Sequence, residues 1–251
     1  MTHTVFSTPQ HRKLAYRRYE GAAGKPGLVW LSGFRSDMQG SKVTGLEAWA
    51  KASETSFLAF DYSGHGLSEG AFADGTIGQW REDTLAVIDA LTEGPLILVG
   101  SSMGGWLALL AALARPERVA GMVLIAPAPD FTEKLMWPDL LPEEKKEILQ
   151  NGVYYQPSDY GDPVPLTKAL FEDGKAWQIM DAPIAFSGPV RILQGMQDPD
   201  VPWAHAQRLA DTLTTDDLTL TLVKDGDHSL SREQDLARLL AVCGEIVGAA
   251  R

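Results

Sequence analysis

A serine flanked at two residues' distance by glycines is the first place in this sequence where residue type and spacing imply chemistry. Gly100-Ser101-Ser102-Met103-Gly104 is a G-x-S-x-G pattern, set directly after an apolar run (95–99) and directly before a helical pattern (106–114). That order predicts a strand, a sharp turn and a helix, the context in which the pattern carries a nucleophile rather than a plain structural turn. A side chain at the apex of so tight a turn is held in a strained backbone conformation, while Gly100 and Gly104 leave room for strand and helix to approach. The turn lifts the Ser102 hydroxyl clear of a sheet. It also aims the Met103 amide, at a helix N-terminus, at the place where an oxyanion would form.

A serine hydroxyl is a weak nucleophile alone and needs a base, with an acid behind that base. The chain has five histidines. His3 and His11 lie near the start and follow no strand. His65 sits in the glycine-rich turn Asp61-Tyr62-Ser63-Gly64-His65-Gly66, where shaping the loop is the expected job. His205 falls within a helical pattern. His228, in Lys224-Asp225-Gly226-Asp227-His228-Ser229, follows a strand and precedes the last helix, which predicts a place at the carboxyl edge of the sheet beside Ser102. The acid candidates also follow strands: Asp198, Asp200 and Asp130. Asp198 is preferred. Asp200 is expected to cap the next helix, and Asp227 to hold its own loop.

These residues need a scaffold that brings strand ends together. The runs 5–7 and 14–19 predict an antiparallel pair with one wet face. Leu28-Val29-Trp30-Leu31 is apolar on both faces, as a buried parallel strand is. A helix over 42–53, a strand over 57–60, a helix over 76–91, the elbow and a strand over 119–126 follow in regular alternation. The rhythm resumes with a strand at 190–193, a helix near 203–213, a strand at 218–223 and a closing helix over 230–247. The fold class is therefore α/β, a mostly parallel sheet with helices on both faces. Between Pro127 and Gly188 the rhythm is lost, leaving a short helix (143–149), the fragment Val153-Tyr154-Tyr155 and a helical stretch at 166–172. So long an irregular stretch is too much for a plain connection. Residues 1–251 are expected to form a single domain with a lid inserted at about 128–188.

Composition narrows the function further. The 33 acidic and 22 basic residues give a net charge of −11 with no basic cluster, which argues against nucleic acid or an anionic membrane as partner. No apolar run reaches the ~18 residues of a membrane span. The single cysteine, Cys243, lies on an apolar helical face and allows no intrachain disulfide. The first residues lack the layout of a signal or transit peptide. The expectation is a cytoplasmic enzyme that uses no metal or cofactor.

The whole chain resembles the α/β-hydrolase superfamily. More narrowly, it is similar to the branch of mitochondrial serine hydrolases described as acyl-glucuronide esterases and palmitoyl-protein thioesterases. The resemblance rests on Ser32-Gly33-Phe34, Phe60-Asp61-Tyr62-Ser63-Gly64, Thr76-Ile77-Gly78-Gln79-Trp80-Arg81, the elbow through Trp106, Ala114-Arg115-Pro116-Glu117, and Gly195-Met196-Gln197-Asp198 with Val201-Pro202-Trp203. It implies Ser102 as nucleophile, Asp198 as acid and His228 as base. Two departures stand out: no mitochondrial leader is recognisable, and Ser32-Gly33 replaces the His-Gly pair that many hydrolases carry after the third strand. In the implied mechanism the amides of Phe34 and Met103 stabilise the oxyanion of an acyl-enzyme reaction on a small-molecule ester or acyl thioester. Activity is then expected to fall as His228 protonates.

Substrate contacts are sought in two apolar clusters: Leu135, Met136, Trp137, Leu140 and Leu141, and Trp177, Ile179 and Met180. Both are read either as packing of the lid or as a channel for an acyl chain, with Trp137 and Trp177 as contacts. Arg35, beside the oxyanion loop, is a candidate for an anionic substrate group or a surface ion pair. Trp106 is assigned to helix–sheet packing. The competing readings are a non-catalytic small-molecule receptor on the same fold, or a hydrolase of another bond type such as carbon–carbon.

Overall fold

The computed structural model describes residues 3–158 and 162–249. It opens with β1 (Thr4–Ser7) and β2 (Lys13–Tyr19), an antiparallel pair in which Thr4 faces Tyr16. There follow β3 (Gly27–Leu31), α1 (Ser41–Ala52), β4 (Phe57–Phe60), α2 (Ile77–Leu91), β5 (Leu96–Ser101), α3 (Met103–Ala114) and β6 (Val119–Ile125). A π-helical turn (Thr132–Met136) then runs into α4 (Trp137–Asp139), α5 (Pro142–Asn151), the strands β7 (Val153–Gln156) and β8 (Val164–Thr167), and α6 (Lys168–Ala176). The chain closes with β9 (Val190–Gly195), α7 (Trp203–Thr212), β10 (Leu218–Val223) and α8 (Glu233–Ala249).

Eight strands form the main sheet in the order β1-β2-β4-β3-β5-β6-β9-β10. Pairing is antiparallel at β1–β2 and β2–β4 and parallel from β4 onward. Every residue of β3, β4 and β5 is buried, the outcome expected of apolar runs covered on both faces. One face packs Trp80, Trp106 and Leu209 from α2, α3 and α7; the other packs Leu46, Leu239 and Cys243 from α1 and α8. Cys243 is fully buried and desolvation raises its thiol pKa, so it behaves as a small apolar side chain. Trp106 is fully buried against the sheet, as its sequence context suggests.

The helix expected at 166–172 begins two residues later. Leu166 and Thr167 complete β8 against Tyr154 and Val153, and the Thr167 hydroxyl then caps α6 by accepting from the Leu170 amide at 3.1 Å. The closing helix starts at Glu233 rather than at 230, because Leu230 has φ +43° and its amide donates to Asp227 Oδ1 at 2.8 Å. Helix α3 starts earlier than its apolar pattern, at Met103, since Gly104 and Gly105 lie inside its first turn. Asp200 does not cap α7, whose first flanking residue is Pro202.

Residues 127–188 carry a small core of their own, Leu140, Ile148, Leu166 and Phe171. That segment is tied to the body where the Gly78 amide donates to Asp173 Oδ2 at 2.6 Å. A second tie is the Trp106 indole, which donates to the Trp177 carbonyl at 3.2 Å. Among the described residues no helix is long and apolar enough to cross a membrane.

Candidate active site

Ser102 sits between β5 and α3 with φ +54° and ψ −119°, a conformation a serine adopts only when its surroundings enforce it. The enforcement is visible in the neighbouring backbone. The Ser102 amide donates to the Ile125 carbonyl at 2.8 Å, and the Ser102 carbonyl accepts from Gly105 and Ala128. A Cβ at Gly104 would run into the carbonyls of Leu31 and Ser32, and one at Gly100 into the backbone of Gly104. Glycine is required at both positions for the elbow to close.

His228 lies on the loop after β10 and Asp198 on the loop after β9. The two loops are bound to each other: Met196 donates to the Val223 carbonyl and Gln197 to that of Gly226, each at 2.9 Å. A Cβ on Gly195 would strike the Gly226 and Asp227 carbonyls, so that glycine permits the close approach. His228 Nδ1 is thereby held 2.8 Å from Asp198 Oδ2, and His228 Nε2 stands 3.1 Å from Ser102 Oγ. Since a carboxylate accepts, Nδ1 carries the proton and Nε2 is left to accept from the serine hydroxyl.

Both oxygens of the buried Asp198 are saturated. Oδ1 accepts from the Asp200 and Val201 amides, and Oδ2 from His228 and from Gln194 Nε2 at 3.0 Å. Burial opposes its ionisation, but the His228 and backbone hydrogen bonds outweigh that cost and hold its pKa below the ordinary aspartate value. Asp198, Asp200 and His228 also present potential ligand atoms within 4.8 Å of one another. The Asp198 oxygens are already committed to four donors, so this set is organised for hydrogen bonding.

A cavity of about 380 Å³ opens on Ser102 and His228. Its apolar lining is Phe34, Met103, Ala128, Phe131, Leu135, Met136, Leu140, Pro199 and Val201; Gln156, Asp139 and Asp200 add polar groups. The amides of Phe34 and Met103 have no acceptor among the described residues. Gly33 brings the Phe34 loop against the elbow, an added Cβ there lying 3.3 Å from that of Ser102.

The other candidates are placed elsewhere. Asp130 is buried with φ +56° and accepts from the Ile179 and Met180 amides at 2.9 Å, with desolvation raising its pKa. His205 is buried and bonds the Pro129 carbonyl at 2.8 Å. Trp137 packs on Phe171, ring centroids 5.0 Å apart, and Trp177 lies under the Arg81 guanidinium at 4.5 Å. Arg35 directs its guanidinium to the Asp162 carbonyl at 3.2 Å. Arg35, Trp137 and Trp177 do not line the cavity, whereas Leu135, Met136 and Leu140 do. Gln194, which grips Asp198, is not anticipated by the sequence reading; its one signal is an amide ending the apolar run Val190–Gly195.

Residues 39–153 match the family model described as serine aminopeptidase, S33. The chain is 36% identical to bovine mitochondrial palmitoyl-protein thioesterase ABHD10, over 97% of its own length and 79% of the relative's. It superposes on a crystal structure of a hydrolase from Agrobacterium vitis S4 with a TM-score of 0.93 and 43% identity, covering 98% of each chain. It superposes on mouse α/β hydrolase domain-containing protein 10 with a TM-score of 0.90 and 34% identity, covering all of both chains.

These relatives overturn one expectation. The bovine, mouse and human ABHD10 proteins are named as mitochondrial, which points to that compartment rather than the cytoplasm. The cytoplasmic expectation rested on a single cysteine and an unremarkable N-terminal composition, and neither separates one reducing compartment from another. Sheet order, elbow and whole-length similarity agree, and the chain belongs to the ABHD10 family of α/β hydrolases and is a hydrolytic enzyme.

Proposed function

We propose that this enzyme hydrolyses acyl thioesters and carboxylic esters with apolar acyl groups through an acyl-enzyme on Ser102. Hydrolysis of esters or thioesters by a serine is the chemistry of its family. The observation that carries the residue assignment is the hydrogen-bonded chain Ser102–His228–Asp198 opening on an apolar cavity. The acyl carbon is attacked by Ser102 Oγ while His228 Nε2 takes the hydroxyl proton. Asp198 keeps the imidazole in the Nδ1–H tautomer and stabilises the imidazolium. The Phe34 and Met103 amides, free of other acceptors, donate to the oxyanion, each worth about 3 to 4 kcal/mol in comparable sites. His228 returns its proton to the leaving alcohol or thiol, and water then repeats the cycle on the acyl-enzyme.

Residues 128–188 are read as a lid on a single domain, since Leu135, Met136 and Leu140 from that segment contribute to the cavity's apolar wall. The relatives' thioesterase name and this apolar wall favour a long-chain acyl thioester. An acyl glucuronide fits less well. The acidic side chains lining the cavity are Asp139 and Asp200, which repel a glucuronate.

The test is labelling with a fluorophosphonate together with turnover of oxygen and thio esters matched in acyl chain. Wild-type protein is expected to label and to turn over both. Ser102→Ala is expected to lose labelling and at least about 10,000-fold in kcat. Labelling that survives Ser102→Ala removes this assignment, and a wild-type protein that binds esters without labelling or turnover is a receptor.

A further inference from the structure

His65 is 4% exposed, does not line the cavity, and takes no part in the chemistry just described. Its ring is caged edge-on by Tyr62, Phe72 and Trp80, with centroids 5.0 to 5.5 Å away. Two polar contacts leave this cage. Nδ1 lies 3.3 Å from the Ser63 carbonyl, and Nε2 lies 3.3 Å from the Arg35 amide nitrogen. A carbonyl oxygen only accepts, so Nδ1 carries the proton and the Nε2 lone pair accepts from the Arg35 N–H. Burial pushes the His65 pKa down to about 4, which keeps that lone pair available at neutral pH.

The contact falls on the residue after Phe34. Arg35 has φ +57°, a left-handed conformation that an arginine holds only under external constraint. On the other side of Phe34, the Ser32 carbonyl accepts from the Tyr62 hydroxyl at 3.2 Å, and the Ser32 hydroxyl accepts from the Trp30 indole at 3.0 Å. Phe34 is therefore flanked by two contacts from one loop, Tyr62 on residue 32 and His65 on residue 35. Its own ring is anchored on the same cage, 4.9 Å from Phe72 and 6.0 Å from Trp80. In this chain, which has Ser32-Gly33 after β3, no histidine of the oxyanion loop itself is available to brace it.

We propose that His65 is a positioning residue of the hydrolytic reaction: by accepting the Arg35 N–H it sets the orientation in which the Phe34 N–H meets the oxyanion. This rests on the assignment of Phe34 as an oxyanion donor made above. An oxyanion donor acts in the transition state more than in the bound substrate, so loss of its orientation appears in kcat and hardly in KM.

Two substitutions separate this role from simple packing. His65→Phe keeps an aromatic ring in the cage and removes the acceptor; His65→Gln brings an amide oxygen to about the place of Nε2. On a nitrophenyl ester, His65→Phe is expected to lower kcat by about 10- to 100-fold with KM changed less than about threefold, and to slow fluorophosphonate labelling in step. His65→Gln is expected to stay within about fivefold of wild type. A folded His65→Phe with wild-type kcat overturns the proposal, as do folded variants that lose activity equally. Should His65→Phe fail to fold, long-range 1H–15N spectra of the wild-type protein decide. A neutral His65 protonated at Nδ1 supports the proposal, and one protonated at Nε2 overturns it, because that nitrogen could not accept from Arg35. Wild-type protein without Ser102-dependent turnover overturns the hydrolytic assignment and this proposal together, whereas active wild type with an insensitive residue 65 removes this one alone.

Discussion

Asp198 shows how one side chain is made both acidic and stationary. Four donors converge on its two oxygens, and together they outweigh the burial that would otherwise favour its protonated form. Because its pKa is lower folded than unfolded, Asp198 contributes its full stabilisation above the ordinary aspartate value, and this is lost as pH falls through the depressed folded value. Urea denaturation should therefore find Asp198→Asn less stable than wild type at pH 7, with the gap narrowing in acid; a gap that widens in acid would contradict the assignment. The same substitution is expected to cost about 10,000-fold in kcat, through loss of the imidazole tautomer. Gln194 tests how far orientation reaches. Gln194→Leu keeps volume but removes the Nε2 hydrogen bonds to Asp198 and to the Gly195 and Val201 carbonyls, so kcat should drop about tenfold and the thermal transition should fall by roughly 2 to 8 °C. His228 and Asp198 were legible because each follows a strand in a loop rich in glycine, proline and aspartate. Gln194 was not: its partners at positions 195, 198 and 201 are near in sequence, but no rule of residue type marks a strand-end glutamine as turning its amide onto the loop that follows.

At the scale of elements, strain gathers at the carboxyl ends of the strands. Arg35, Ser102, Ala126, Asp130 and Leu230, non-glycine residues with positive φ, lie in the connections that follow β3, β5, β6 and β10. Such conformations persist where packing on both sides enforces them, and this is the edge on which the site is built. The elbow depends on this most directly. Gly104→Ala would press a methyl group into the Leu31 and Ser32 carbonyls and force α3 away from β3. It is expected to destabilise the protein by about 3 kcal/mol or more, a fall in Tm of roughly 6 to 12 °C that calorimetry would register. An unchanged Tm would mean that the helix packs less closely on β3 than described. The elements read most accurately from the sequence were the central strands, because residues buried on both faces form uninterrupted apolar runs. The π-helical turn, β8 and the late start of α8 were missed, since local propensity there yields to a hairpin partner and to the Asp227 side chain.

The whole molecule carries a charge of −11, and its cavity adds the exposed carboxylates Asp139 and Asp200 beside the imidazole. Esters with anionic leaving groups should show kcat/KM several-fold below neutral ones of equal acyl chain at low ionic strength. The difference should shrink toward 0.5 M salt or in Asp200→Asn, as screening and charge removal predict, at roughly threefold or more. Equal rates at all ionic strengths would show that the carboxylates do not face the leaving group. The resemblance to α/β hydrolases, the α/β alternation and the candidates Ser102, Asp198 and His228, which the fold brings into one hydrogen-bonded chain, were all present in the one-dimensional pattern, because burial, backbone strain and strand-end loops leave local marks in residue type. Which apolar side chains of residues 127–188 line the cavity, that Arg35 turns its guanidinium to Asp162, and that His65 meets the loop of Phe34 were settled only by tertiary structure. Those contacts join residues far apart in the chain, and no local rule of composition or period records a distance between them.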